Sequence, residues 1–143
     1  MPTTSGRCAC GAIRYECSAD PIVCSNCHCR DCQRASGSAF ASLFIVWADS
    51  FRILSGKLKF YEVTAESGGW MRRGFCPDCG SPILIEQPHR PRIILIHAAS
   101  LDDPSLHKPR MDCYVTRAQP WDTMHPARRK FDEMPPVPDT LNG

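Results

Sequence analysis

The sequence predicts a mainly β domain, built from short antiparallel sheets with little helix. Short segments with alternating or β-branched side chains recur between turn residues, a pattern typical of all-β domains. The 13 prolines are spread along the chain, so few windows could sustain three turns of helix. The 143 residues suffice for one hydrophobic core. We expect one domain over residues 1–121 and a proline-rich tail over residues 122–143, packed on the domain or frayed from it.

The strand signals follow one another in chain order. Ile13, Tyr15 and Cys17 alternate with polar residues, which predicts that they share one strand face. Further strands are predicted over residues 39–47, 51–54, 58–62, 70–75, 83–86, 92–97 and 111–115. Turns are expected at residues 55–56, 68–69 and 87–88. One short helix or turn is expected after Cys32.

Charge and hydropathy argue against two classes of partner. The net charge is only +2 and the basic clusters are short, so the chain lacks the basic stripe of a nucleic-acid-binding protein. The longest apolar runs, residues 39–48 and 93–99, are shorter than the ~20 residues of a membrane-spanning helix. Residues 1–7 lack the apolar stretch of a signal peptide. We therefore expect a cytoplasmic protein that binds neither nucleic acid nor membrane.

The cysteine content is the strongest functional signal in the sequence. Ten cysteines in a reducing compartment indicate metal binding or catalysis rather than a disulfide framework. Seven of them fall into three groups, namely Cys8 and Cys10, then Cys27, Cys29 and Cys32, then Cys76 and Cys79. The last pair forms a CxxC motif followed by glycine, which is the form of a zinc knuckle.

The seven clustered cysteines are one short of two tetrahedral zinc sites. The two outer pairs could complete a closed Cys₄ site, and such sites are structural, although spacing alone leaves the pairing open. The middle group would then supply three ligands, and catalytic zinc commonly keeps three protein ligands and one open position. The alternative is that Cys24 or one of the five histidines closes this second site.

The remaining cysteines and His28 have simpler interpretations. Cys24 and Cys27 form a second CxxC motif, but the sequence around it lacks the βαβ context of redox proteins. Cys17 and Cys113 lie in strand-like segments and are expected to be small core residues. His28 stands between two cysteines that turn toward one ion, so we expect it to point elsewhere and to support the ligands indirectly.

Three blocks of sequence resemble a known family. They are residues 6–15, GRCACGAIRY, residues 27–40, CHCRDCQRASGSAF, and residues 73–81, RGFCPDCGS. Together they resemble the glutathione-dependent formaldehyde-activating enzyme (GFA) family, which is related to centromere protein V. Residues 100–104 and Trp121 extend the similarity to roughly residues 5–121. Relatives often carry a histidine shortly before the last strand, where this chain has Asp112-Cys113.

The resemblance implies a β-tent fold with two zinc ions. It implies that the structural zinc is bound by Cys8, Cys10, Cys76 and Cys79, and the catalytic zinc by Cys27, Cys29 and Cys32. The implied activity is that of a carbon–sulfur lyase, which forms or cleaves S-hydroxymethylglutathione from glutathione and formaldehyde.

A thiol and an aldehyde are therefore the expected small-molecule partners. Arg30, Arg34 and Arg73 are candidate contacts for the carboxylates of the thiol. Zinc could activate either the thiol or the carbonyl. A non-catalytic, zinc-stabilised binding module is the main alternative, since fold alone does not fix function. The sequence leaves the oligomeric state open.

Overall fold

The computed structural model describes residues 3–141 and confirms the mainly β fold. Within that range there are eleven strands and one α-helix. In chain order they are β1 (Thr4–Arg7), β2 (Arg14–Cys17), β3 (Val23–Cys27), α1 (Arg30–Ser36), β4 (Ala41–Trp47), β5 (Phe51–Ser55), β6 (Lys59–Thr64), β7 (Trp70–Phe75), β8 (Pro82–Glu86), β9 (Ile93–His97), β10 (Met111–Cys113) and β11 (Arg129–Lys130). Residues 1–2 of the predicted domain and 142–143 of the predicted tail lie outside the described range.

The strands form two sheets. The smaller has the order β1-β2-β5, and the larger has the order β11-β10-β3-β4-β9-β8-β7-β6. All pairs are antiparallel except those of β10, which runs parallel to both β3 and β11. The two-residue strand β11 therefore joins the C-terminal segment to the edge of the large sheet.

The large sheet carries a hydrophobic cluster on each face. Along β4, Phe44 and Val46 belong to one cluster, whereas Leu43 and Ile45 belong to the other. This alternation follows from the two-residue period of a strand. The first cluster packs against the small sheet through Tyr15, and the second includes Cys27, Cys29 and Cys32.

The structure differs from the predicted elements in three ways. The strand predicted over residues 111–115 ends at Cys113, because Tyr114 adopts the left-handed conformation and a 3₁₀ turn follows it. Strands β1, β3 and β11 were not predicted, because each is short and polar or cysteine-rich. Helix α1 begins at Arg30 rather than after Cys32. The reason is that the Cys29 thiol caps the helix by accepting a hydrogen bond from Cys32 N at 3.3 Å. The helix ends at Gly37, which adopts the left-handed conformation (φ 65°).

The C-terminal segment packs on the second cluster. Val137 and Leu141 contribute apolar side chains to it, and Arg92 Nη1 donates a hydrogen bond to Thr140 O at 3.1 Å. Phe131 N donates to Asp112 O at 2.9 Å, next to the β10–β11 pairing. In the described part of the chain, no helix has the length and apolarity needed to cross a membrane.

Candidate metal centres

Four cysteines from distant parts of the chain meet in one group. The thiols of Cys8, Cys10, Cys76 and Cys79 lie within 4.8 Å of one another. The Sγ–Sγ distance is 3.6 Å between Cys8 and Cys10, and 3.8 Å between Cys10 and Cys76. Tetrahedral zinc with Zn–S bonds of about 2.3 Å requires sulfur atoms roughly 3.8 Å apart. The four-cysteine group therefore fits one zinc ion.

Two tight loops hold this four-cysteine group. Ile13 N donates a hydrogen bond to Cys8 Sγ at 3.2 Å, and such amide donors favour the thiolate form. In the other loop, Gly80 N donates to Cys76 O at 2.8 Å, and the φ of 78° at Gly80 suits glycine. A metal ion here would tie the loop after β1 to the loop after β7.

The second group contains Cys27, Cys29 and Cys32, whose thiols also lie within 4.8 Å of one another. Cys27 ends β3, Cys29 caps α1 and Cys32 lies in the first turn of that helix. Hydrogen bonds from the Cys27 and Cys32 thiols lower the pKa of Cys29, whereas the hydrogen bonds of Cys27 with Cys29 and Cys32 raise the pKa of Cys27. One thiolate is thus stabilised by its neighbours. A soft set of three sulfur donors fits zinc.

Cys24 lies on the opposite side of the sheet from this three-cysteine group. Cys24 belongs to the first hydrophobic cluster, whereas Cys27 belongs to the second. The two residues are three positions apart on β3, and an odd separation places side chains on opposite faces. Burial raises the pKa of the Cys24 thiol. In the described chain, no fourth cysteine, histidine or carboxylate joins the three-cysteine group.

His28, between Cys27 and Cys29, is wholly buried, and its ring contacts acidic residues. Its Nε2 lies 2.9 Å from Asp112 Oδ1, and its Nδ1 lies 3.5 Å from Asp122 Oδ2. Asp112 also accepts hydrogen bonds from Arg128 at 2.9 Å and is 3.3 Å from Lys130 Nζ. Burial alone would raise the pKa of Asp112, but the Arg128 and His28 hydrogen bonds hold it below its usual value.

The three candidate arginines occupy different environments. Arg30 and Arg34 are exposed on α1. Arg73 is only 4% exposed, and its Nη2 lies 3.9 Å from Cys32 Sγ. Its Nη1 is buried without a hydrogen-bond partner among the described residues. Arg73 therefore presents positive charge directly to the three-cysteine group.

A cavity of about 350 Å³ adjoins the three-cysteine group, and Cys27, Cys29 and Cys32 form part of its wall. Cys113 and Tyr114 also line it. Burial raises the pKa of Cys113 to about 11 and raises that of Tyr114. The volume is at the lower end of the ~300–1,000 Å³ typical of small-molecule sites.

Sequence reasoning assigned no role to two residues at this site. Tyr114 has a φ of 55° and is the one non-glycine residue of the described chain with positive φ, a strain that is found at functional sites. Nothing in the sequence signals that conformation. Asp112 could have been found as an acidic residue inside an apolar strand segment, because such residues need buried partners.

Comparisons with known proteins bear on the family and the fold of this chain. The sequence model of a family described as glutathione-dependent formaldehyde-activating enzyme matches residues 3–117. A crystal structure of a Rhodobacter sphaeroides protein, a structural genomics target, matches with a TM-score of 0.57 at 21% identity. The match covers 73% of this chain and 96% of that chain, so it supports the fold. No curated protein sequence matches the chain significantly.

Proposed function

Because the chain belongs to the glutathione-dependent formaldehyde-activating enzyme family, we propose that it is a zinc-dependent carbon–sulfur lyase. Its reaction joins a thiol such as glutathione to a small aldehyde such as formaldehyde, or cleaves the product. The observation that carries this proposal is the group of three thiols at a cavity wall, without a fourth protein ligand in the described chain. The ten free cysteines suit a reducing compartment, which favours the cytoplasm.

The two cysteine groups have different roles in this proposal. Cys8, Cys10, Cys76 and Cys79 hold a structural zinc, which stabilises the fold by linking two distant loops. Cys27, Cys29 and Cys32 hold the catalytic zinc. A zinc ion held by these three cysteines would supply Lewis acidity, which would lower the pKa of a thiol or polarise a carbonyl.

The reaction transfers one proton from the thiol to the carbonyl oxygen and needs no oxidant or reductant. The thiol sulfur attacks the carbonyl carbon, a carbon–sulfur bond forms, and the carbonyl π electrons move to oxygen. The thiol loses a proton and the oxygen gains one. Tyr114 lines the cavity beside the thiols, so its hydroxyl is our candidate for the donor to that oxygen.

Arg73 balances the charge of the site. Three thiolates and one Zn²⁺ carry a net charge of −1, and an uncompensated buried charge is costly. The Arg73 guanidinium is buried against Cys32, so it restores neutrality. The exposed Arg30 and Arg34 on α1 are the candidates for the carboxylates of a charged thiol.

The test combines metal analysis with NMR exchange. We expect two zinc ions per chain in the wild type, together with accelerated exchange between ¹³C-formaldehyde and its glutathione adduct. Cys29→Ser should lose about one zinc and the acceleration. Cys24→Ser is the matched control, since Cys24 is also a buried cysteine but faces the other cluster, and it should keep both. Equal exchange in the wild type and Cys29→Ser would contradict the proposal and would favour the non-catalytic binding module.

A further inference from the structure

The cavity beside the three-cysteine group is apolar on nearly every side. Strands β4, β8 and β9 and the C-terminal segment supply its aliphatic wall, which includes Leu43, Ile45, Ile85, Leu95, Pro136 and Val137. Glu66 and Arg90 are the charged residues that line it within the described chain. Glu66 is paired with Arg117, whose Nε lies 2.9 Å from Glu66 Oε2. A ligand that enters this space must therefore be mainly apolar.

Glutathione does not match such a space, because it carries two carboxylates and an ammonium group. Arg90 is the one cationic lining residue in the described chain, so at least one of the two carboxylates would be buried among aliphatic side chains without a partner, at a cost of several kcal/mol. The charged thiol must reach the three-cysteine group from a polar side. The apolar cavity is then left for the other reactant, the carbonyl compound.

The C-terminal segment lines this cavity from outside the region that matches the family model. Pro135, Pro136, Val137, Pro138 and Leu141 form one of its walls. All five lie beyond residue 117, where the match to the family model ends. The hydrogen bond from Arg92 to Thr140 O fixes this wall against the sheet.

We propose that the cavity binds the apolar chain of an aldehyde larger than formaldehyde, and that it thereby selects the carbonyl substrate. This inference rests on the proposed carbon–sulfur chemistry for the position of the aldehyde group at the three-cysteine group. The three thiols and the apolar side chains line the same cavity, which supports the inference. An aldehyde with an unbranched alkyl chain would place its carbonyl at the sulfur atoms and its chain along the apolar wall.

The experiment compares propanal, butanal, pentanal and hexanal as carbonyl substrates, with glutathione as the thiol. Each buried methylene contributes about 0.8 kcal/mol, so we expect kcat/KM to rise up to about fourfold for every added carbon. The adduct exchange is measured by NMR above the uncatalysed rate. Binding of 1-hexanol, which has no carbonyl to attack, is measured in parallel by calorimetry.

One variant of the C-terminal wall tests the position of the aldehyde chain. Val137→Trp should fill the cavity. It should abolish hexanol binding and the rise in kcat/KM with chain length, while zinc content and formaldehyde exchange stay at wild-type values. Val63→Trp is the matched control, because Val63 on β6 is also half-buried but does not line the cavity.

The outcomes separate this inference from the proposed function. Suppose that formaldehyde exchange is catalysed but kcat/KM does not rise with aldehyde chain length, or that the rise persists in Val137→Trp. Either result would overturn the apolar site and leave the proposed function standing. If the wild type binds hexanol, Val137→Trp does not, and no aldehyde is turned over, the apolar site is supported and the proposed chemistry is refuted. Absence of both hexanol binding and turnover would overturn both.

Discussion

Nε2 of His28 lies 2.9 Å from Oδ1 of Asp112, and neither side chain is exposed to solvent. This contact joins the loop between Cys27 and Cys29 to strand β10, which pairs in parallel with β3. Asp112 also binds Arg128, which precedes β11. One buried carboxylate therefore links the three-cysteine group to the C-terminal segment.

Replacing Asp112 should lower the free energy of unfolding, and the loss should grow with the number of hydrogen bonds that the substitution removes. Asp112→Ala leaves the buried His28 and the Arg128 guanidinium without an acceptor, and we expect a loss of about 3–5 kcal/mol. Asp112→Asn keeps an acceptor and should cost only about 1–2 kcal/mol. Urea unfolding of the zinc-saturated protein measures both. Asp20→Ala, at an exposed position, is the control, and an equal effect from Asp20→Ala and Asp112→Ala would refute the linking role.

The Tyr114 hydroxyl should matter for turnover more than for folding. Tyr114→Phe keeps the buried ring and removes only the hydroxyl, whose hydrogen-bond partner is Ser67. We expect a reduction in kcat of about 10²-fold, at the lower end of general acid catalysis, and a stability loss of about 1 kcal/mol.

Adduct exchange and urea unfolding are measured on the same Tyr114→Phe preparation, with its zinc content as a check. Tyr61→Phe is the matched control, since Tyr61 is 47% exposed and does not line the cavity. A kcat for Tyr114→Phe equal to that of Tyr61→Phe would rule out proton donation by Tyr114.

The two cysteine groups should differ in their importance for folding. Cys76→Ser removes a ligand from the group that links two distant loops, whereas Cys29→Ser acts on residues that are close in sequence. Each variant should lose about one zinc per chain. The free energy of unfolding should fall more in Cys76→Ser, because metal binding at a long-range site contributes directly to folding. An equal loss of stability in both variants would indicate that both groups are structural.

Much of the fold could be predicted from local sequence, whereas the pairing of Cys8 and Cys10 with Cys76 and Cys79 was implied only by the resemblance to the family. Strand β7 was predicted at the observed bounds, because its alternation and flanking glycines are local signals. The fate of Cys24 was harder to predict. Strand β3 lacks a run of β-branched residues, so it was not predicted. Without a predicted strand, the two-residue period could not be used to place Cys24 and Cys27 on opposite faces.

Long-range features of the site lay beyond any local pattern. The buried pair His28–Asp112 depends on the parallel pairing of β10 with β3, residues separated by more than 80 positions. The burial of Arg73 likewise depends on tertiary packing, because a strand position near a glycine is compatible with either an exposed or a buried arginine. The wall contributed by residues 135–141 follows from the return of the chain to the sheet edge through β11.

His97 should make the protein sensitive to mild acid. Its side chain is 6% exposed, and burial, assisted by the nearby charge of Arg73, lowers its pKa to about 4. The unfolded chain has a histidine pKa near 6.5, so protonation favours the unfolded state. Stability from this residue is complete above about pH 6.5 and is lost as the pH falls toward 4, by up to ~3 kcal/mol.

His97→Gln removes the titrating group, so the difference in unfolding free energy between this variant and the wild type should depend on pH between 6.5 and 4. Comparing the two at each pH cancels the acid-driven loss of zinc, which affects both proteins. Urea titrations at four pH values over this window measure the difference, and His125→Gln serves as the control. A pH-independent difference would show that the imidazole titrates alike in the folded and the unfolded protein, and it would contradict a lowered pKa for buried His97.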